Sequence, residues 1–130
     1  MNIFVNGTFD ILHTGHLKLL EYAKSLGTHL TVAIDGDDRV KSLKGSSRPI
    51  NNQYDRQYML YMLKPVDNVV IFHTDQQLVE MVADCDIMVK GADYRHQRVI
   101  GESVCKRIVY FDRVDEYSTT ATIQRITDRR

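Results

Sequence analysis

The sequence predicts an α/β fold: a doubly wound, parallel, five-stranded sheet with helices on both faces. Three observations carry this. Short apolar runs of strand length recur along all 130 residues. Between them lie segments with apolar residues at helical spacing, and strands alternating with helices imply parallel pairing with both sheet faces covered. Finally, no linker, internal repeat or low-complexity tract interrupts the pattern, so residues 1–130 form one domain.

The elements follow in order. IFVN (3–6) is the first strand, and HTGHLKLLEYAKSLG carries Leu19, Leu20, Ala23 and Leu26 on one helical face, with Gly27 as its C-terminal cap. HLTVAID (29–35) is the second strand. GDDRVKSLKGSSRPIN (36–51) is polar, basic and broken by Gly45 and Pro49, and reads as a loop. NQYDRQYMLYML forms a helix with Met59, Met62 and Leu63 on one face, and Tyr54, Tyr58 and Tyr61 serve packing and surface. NVVIF (68–72) is the third strand; Thr74 and Gln77 fit a capping box for a helix through Leu78, Val79 and Val82. DIMVK (86–90) and RIVYF (107–111) are the last strands, and STTATIQRI (118–126) is a closing helix capped by Ser118.

Composition narrows the partners. Seventeen Lys and Arg balance seventeen Asp and Glu, so net charge gives no argument for a nucleic-acid or membrane partner, and any anionic ligand must meet local basic clusters. Cys85 and Cys105 lack metal-type or CxxC spacing and are expected to be inert thiols. With no signal pattern and no apolar run of about 18 residues, the expectation is a soluble, cytoplasmic protein.

In a doubly wound sheet, ligands bind beyond the carboxyl ends of the strands where strand order reverses. GTFDILHTGH, GDDRVKSLKG and GADYRH follow strands one, two and four. His13 and His16, three apart at a helix start, turn their rings to one side, and Gly15 between them lets a ligand approach the backbone. Free amides and the partial positive charge of the helix start favour a phosphate there. Two other readings stay open: a zinc pair, although His29, His73 and His96 are scattered and no further ligand has supporting spacing, and a purely structural pair.

GTFDILHTGH also resembles the signature of the cytidylyltransferase-like nucleotidyltransferases, and STT (118–120) resembles that family's second motif. The resemblance spans nearly the whole chain. It implies a Rossmann-like domain that transfers a nucleoside monophosphate from an NTP to a phosphorylated acceptor, with Mg²⁺ as cofactor and pyrophosphate as product. By the same resemblance, His13 and His16 hold the α-phosphate and its transition state, and Gly7, Thr8, Phe9 and Asp10 form the nucleotide loop. Asp10 either orients that turn or caps the first helix. Lys41 and Lys44 belong to a basic loop that neutralises phosphates, Lys44 with a catalytic part; with Arg48 they also read as an ordinary solvated loop. Arg56 stands where the family has a substrate-phosphate arginine, against the alternative of a surface helix residue. Ser118 and Thr119 meet the β- and γ-phosphates, and Thr120 also belongs to the nucleotide site. A homodimer is implied as well.

The donor and acceptor divide two ways. LKGSSRPIN (43–51) and VKGADYRHQRVIGE (89–102) resemble the heptose 1-phosphate adenylyltransferases, which implies ATP and a sugar phosphate, with Gly91 and Asp93 at the nucleotide. Arg113, five residues before Ser118, resembles the glycerol-3-phosphate cytidylyltransferases, although Val114 and Glu116 depart from their pattern. Adenylyl transfer to a heptose 1-phosphate-like sugar is the leading expectation, with CDP-glycerol synthesis second. A nucleotide-binding domain without turnover is the alternative of another class.

Overall fold

The first strand, β1 (Asn2–Gly7), lies at the centre of the sheet, and its apolar run Ile3, Phe4 and Val5 is buried. The computed structural model describes the chain except Asp93, Tyr94, His96 and residues 113–118 and 129–130. Beside β1 run β2 (His29–Asp35) on one edge and β4 (Ile87–Gly91) on the other; β3 (Asn68–Phe72) and β5 (Ile108–Phe111) complete the order β3-β2-β1-β4-β5. All the pairings are parallel. Side-chain alternation along β1 divides the core: Ile3 and Val5 pack with Leu20, Ala23 and Leu60, while Phe4 packs with Leu78, Val82 and Met88. Helices α1 (Thr14–Ser25) and α3 (Gln53–Tyr61) therefore cover one face, and α4 (Asp75–Asp84) the other. This is the expected doubly wound architecture. Its order reverses between β1 and β4, so the loops after those two strands open onto a shared crevice.

Four local expectations need correction. The 36–51 segment is not all loop: Asp37–Lys44 form a helix, α2. Val40 is its only buried residue, too little to give an apolar period, and its stability signal is electrostatic, with Asp37 and Asp38 in the first turn and Lys41 and Lys44 in the last. Gly27 does not cap α1; Leu26 does, and a Cβ at Gly27 would lie 2.4 Å from the Met1 carbonyl oxygen. Close packing against β1, not turn conformation, requires that glycine. On α3 the inward residues are Arg56 and Leu60, whereas Met59 and Met62 are exposed. The helix is rotated to bury an arginine, which an apolar count does not anticipate. Gln77 closes the α4 start through the amide of His73, one residue earlier than a strict capping box, while Thr74 accepts from the Gln77 amide as expected. The Ser118 cap lies outside the described residues; the last helix, α5, spans Thr119–Asp128.

Among the described residues no helix is long and apolar enough to cross a membrane. Both thiols are reduced, and burial, aided by the nearby Cys105, pushes the Cys85 thiol up to about 11, so it stays protonated and inert at neutral pH.

Candidate active site

The corner between β1 and α1 is set by backbone geometry. Phe9 sits in the left-handed region, at φ 50°, which costs a side-chain-bearing residue about 1 kcal/mol. Its ring folds back under Gly7, where a Cβ would lie 2.9 Å from it, and it is buried 5.0 Å from the His16 ring. Glycine at 7 is therefore a matter of close approach. Strain of this kind persists where surrounding packing enforces it, and it clusters at functional loops.

His13 is the N-cap of α1, with extended backbone, and not part of its first turn. The two histidines close the helix start reciprocally. The His16 amide donates to His13 Nδ1 at 3.4 Å, and the His13 amide donates to His16 Nδ1 at 3.2 Å. This is a capping box built from imidazoles, with the rings stacked at 3.7 Å and 19°. An Nδ1 that accepts an amide proton carries none of its own, so each neutral ring holds its proton on Nε2. An Asp at the cap would accept equally well but carry no donor. Histidine accepts on one edge and keeps a donor on the other.

Asp10 does not cap the helix. Its carboxylate is buried and accepts from the amides of Ile50 and Asn51, both at 2.8 Å, and from Arg48 Nε at 3.2 Å. Asn51 Nδ2 donates back to the Asp10 carbonyl. Asp10 thus ties the β1–α1 corner to the α2–α3 connection. Across the crevice, Thr8 Oγ1 donates to Asp35 Oδ2 at 3.2 Å, and Arg39 bridges Asp35 and Asp75 at 2.8 and 2.7 Å while lying over the Phe72 ring. Burial opposes the Arg39 charge, but the hydrogen bonds it donates to Asp75 and Asp35 outweigh it, and its pKa is raised. Lys90, at the end of β4, donates to Asn6 Oδ1.

These groups surround a cavity of about 470 Å³, within the range of small-molecule sites. Gly7, Thr8, Phe9, Asp10, His13, His16, Lys44, Gly91 and Thr120 all line it. Lys41 is exposed on α2 and does not. Arg56, expected at a substrate phosphate, is instead buried beneath the site. It donates to the carbonyls of Asn51, Thr8 and Asp35 and to the Asp37 carboxylate, at 2.8 to 3.0 Å. Thr119 opens α5; Asp93, Arg113 and Ser118 lie outside the described residues. Asp35, Arg39, Arg48 and Lys90 line the cavity without having been singled out for it. The signal for Arg39 was its i,i+4 spacing from Asp35, hidden once 36–51 was read as loop.

A profile of the cytidylyltransferase-like family matches residues 4–125. The chain belongs to the cytidylyltransferase-like family of nucleotidyltransferases. It is 48% identical over 126 residues to the bifunctional protein HldE of a Nitratiruptor species, covering 95% of this chain and 27% of that protein. The bifunctional protein HldE of Aliarcobacter butzleri is 46% identical over 128 residues, covering 97% of this chain and 27% of the relative. The chain thus spans about a quarter of the length of these relatives. Among solved structures, a lipopolysaccharide core biosynthesis protein from Thermoplasma volcanium superposes with a TM-score of 0.73 at 27% identity, covering 88% of this chain and 98% of that one. Membership makes the chain a nucleotidyltransferase, a class whose chemistry rests on positioning and charge stabilisation more than on a protein nucleophile.

Proposed function

We propose that the chain transfers the adenylyl group of ATP to a heptose 1-phosphate-like sugar phosphate, releasing pyrophosphate. The observation that carries this reading is the reciprocal histidine box. It holds both rings at the cavity of the β1/β4 switch point, beside the start of α1, with each Nδ1 turned to a helix-start amide. The sugar-phosphate acceptor is supported by LKGSSRPIN and VKGADYRH and by the similarity to HldE proteins.

In this reading an oxygen of the acceptor phosphate attacks the α-phosphorus of the NTP in line. A new P–O bond forms as the bond to the β-phosphate oxygen breaks, and that electron pair leaves with pyrophosphate. The acceptor is already an anion, so no general base is required. His13 and His16 donate to the α-phosphoryl oxygens, whose charge grows in the transition state, and Lys44 at the end of α2 faces the departing phosphates. Among the described residues, no three His, Cys, Asp or Glu side chains come together as a metal site. The Asp10 and Asp35 carboxylates both already accept protein donors. The expected Mg²⁺ would come with the nucleotide, held by its phosphates, as this ion commonly is. A second reading, cytidylyl transfer to glycerol 3-phosphate, is favoured by one feature, Arg113 ahead of STT.

Pyrophosphate release with Mg²⁺, crossing ATP and CTP against heptose 1-phosphate and glycerol 3-phosphate, tests both. Release with ATP and the sugar phosphate alone is the expected result. Release with CTP and glycerol 3-phosphate alone replaces it with the second reading. Nucleotide binding without release under any pairing makes the chain a binding domain.

A further inference from the structure

Arg48 is unlike the other arginines around the site. Its side chain is only 11% exposed, it lines the cavity, and its Nε donates to the buried carboxylate of Asp10. Its Nη2 is buried and has no hydrogen-bond partner among the described residues. Arg39, by contrast, is held by two carboxylates, and Arg56 by three carbonyls and a carboxylate. A buried cationic donor left without an acceptor is costly, more so than a neutral one, and calls for an explanation.

Asp10 does not supply that explanation, since the Ile50 and Asn51 amides already satisfy it at 2.8 Å and the Arg48 contact is the longer one, at 3.2 Å. The carboxylate holds Arg48 by one edge only. A guanidinium gripped through Nε offers its terminal nitrogens as a planar fork, a shape that fits a phosphoryl group at two oxygens. Arg48 lines the same cavity as the histidine corner and Lys44.

We propose that Arg48 is a substrate-binding residue that takes a phosphoryl group through its terminal guanidinium nitrogens, with Asp10 as its positioning residue. The proposal rests on the nucleotidyl-transfer reading and goes beyond it, because the phosphate belongs either to the NTP chain or to the acceptor.

Calorimetry on the full chain separates these sources. Adenosine, ATP and a sugar 1-phosphate are titrated into the unaltered protein, Arg48→Gln and Arg48→Lys. Arg48→Gln is expected to weaken one of the two phosphate ligands about tenfold or more while leaving adenosine unchanged, and Arg48→Lys to lie between. Loss in the ATP arm assigns the triphosphate, and loss in the sugar-phosphate arm assigns the acceptor. Unchanged affinity for both phosphates, or an equal loss for adenosine, overturns the proposal. An unaltered protein that binds neither ATP nor the sugar phosphate overturns the functional reading itself, which is a different result. Should Arg48→Gln fail to fold, the Arg48 Nε–Hε resonance of the unaltered chain, assigned with Arg48→Lys, provides the same test. It is expected to shift on adding ATP or the sugar phosphate, and an unmoved resonance with either bound overturns the proposal.

Discussion

Arg48 and Arg56 lie eight residues apart, the first in the α2–α3 connection and the second in the first turn of α3, and both are largely withdrawn from solvent. Arg56 turns its guanidinium inward: it joins the ends of β1 and β2 to the α3 start by donating to the Thr8, Asp35 and Asn51 carbonyls. Arg48 stands at the cavity with one edge on Asp10. The difference teaches that an arginine's role follows from where its five donors go. Carbonyls that would otherwise be stranded make Arg56 a structural member, and an edge without an acceptor among the described residues is what the proposal gives Arg48 to offer a ligand.

The largest expected effect breaks the Arg56 side of this comparison. Arg56→Met roughly keeps the volume but leaves one buried and two part-buried carbonyls without their donor and Asp37 without its partner. Removing one partner of a buried pair costs about 3–5 kcal/mol, so the melting temperature should fall by about 10 °C or more. If Arg56 met substrate directly, the variant would instead keep its thermal midpoint and lose affinity for a phosphate ligand. Thermal denaturation beside ATP titration reads both outcomes.

The same division of labour occurs within a single ring at His13, and a second substitution sharpens it. The Nδ1 edge caps α1 and the Nε2 edge is assigned to phosphate. Asparagine is a strong N-cap, so His13→Asn keeps the first function and removes the second. The expected result is stability within about 0.5 kcal/mol of the unaltered chain and turnover lower by about 10²-fold, the scale for losing one preorganised donor to a developing charge. His16→Ala removes both edges and should add about 1 kcal/mol of destabilisation to a similar kinetic loss. Turnover unchanged in His13→Asn would reduce the pair to a helix cap.

How far the sequence carried is clearest at these positions. The sheet was legible because strands covered on both faces must be apolar, and HLTVAID and NVVIF match β2 and β3 residue for residue. That the histidine pair sits at a strand-to-helix junction was legible because the apolar run of β1 and the helical spacing of Leu19, Leu20 and Ala23 bracket it. The pair's reciprocal bonds were not, since spacing alone does not tell an N-cap from a first-turn residue. Helix α2 was hidden because one buried side chain, Val40, leaves no period to read. The fates of Arg48 and Arg56 were hidden for a related reason: both depend on carbonyls and carboxylates brought in from residues such as Thr8, Asp10 and Asp35, far away in the chain.

The smallest expected effect sets a scale for the other two. Lys24 and Asp67 form an ion pair far from the cavity, with side chains about one-third exposed, and Asp67 also accepts the Leu30 amide at 2.8 Å. The Lys24 hydrogen bond, followed by the Leu30 amide, holds the Asp67 carboxyl below its ordinary value of 3.8. A carboxyl whose folded pKa is depressed favours the native state above its unfolded value and loses that contribution as pH falls through the folded one. The loss is therefore confined to acid below 3.8, and at neutral pH the pair is fully formed. Asp67→Asn keeps an acceptor for Leu30 and removes only the charge, so it should cost less than about 1 kcal/mol at neutral pH, the cost shrinking in high salt and on acidification. Denaturant melts at pH 7 and pH 3 measure it. A cost at pH 7 as large as that of Arg56→Met would mean that ion pairing as such governs stability in this chain. A small one leaves the strand-end carbonyls that Arg56 serves as the reason a buried arginine counts for more than an exposed one.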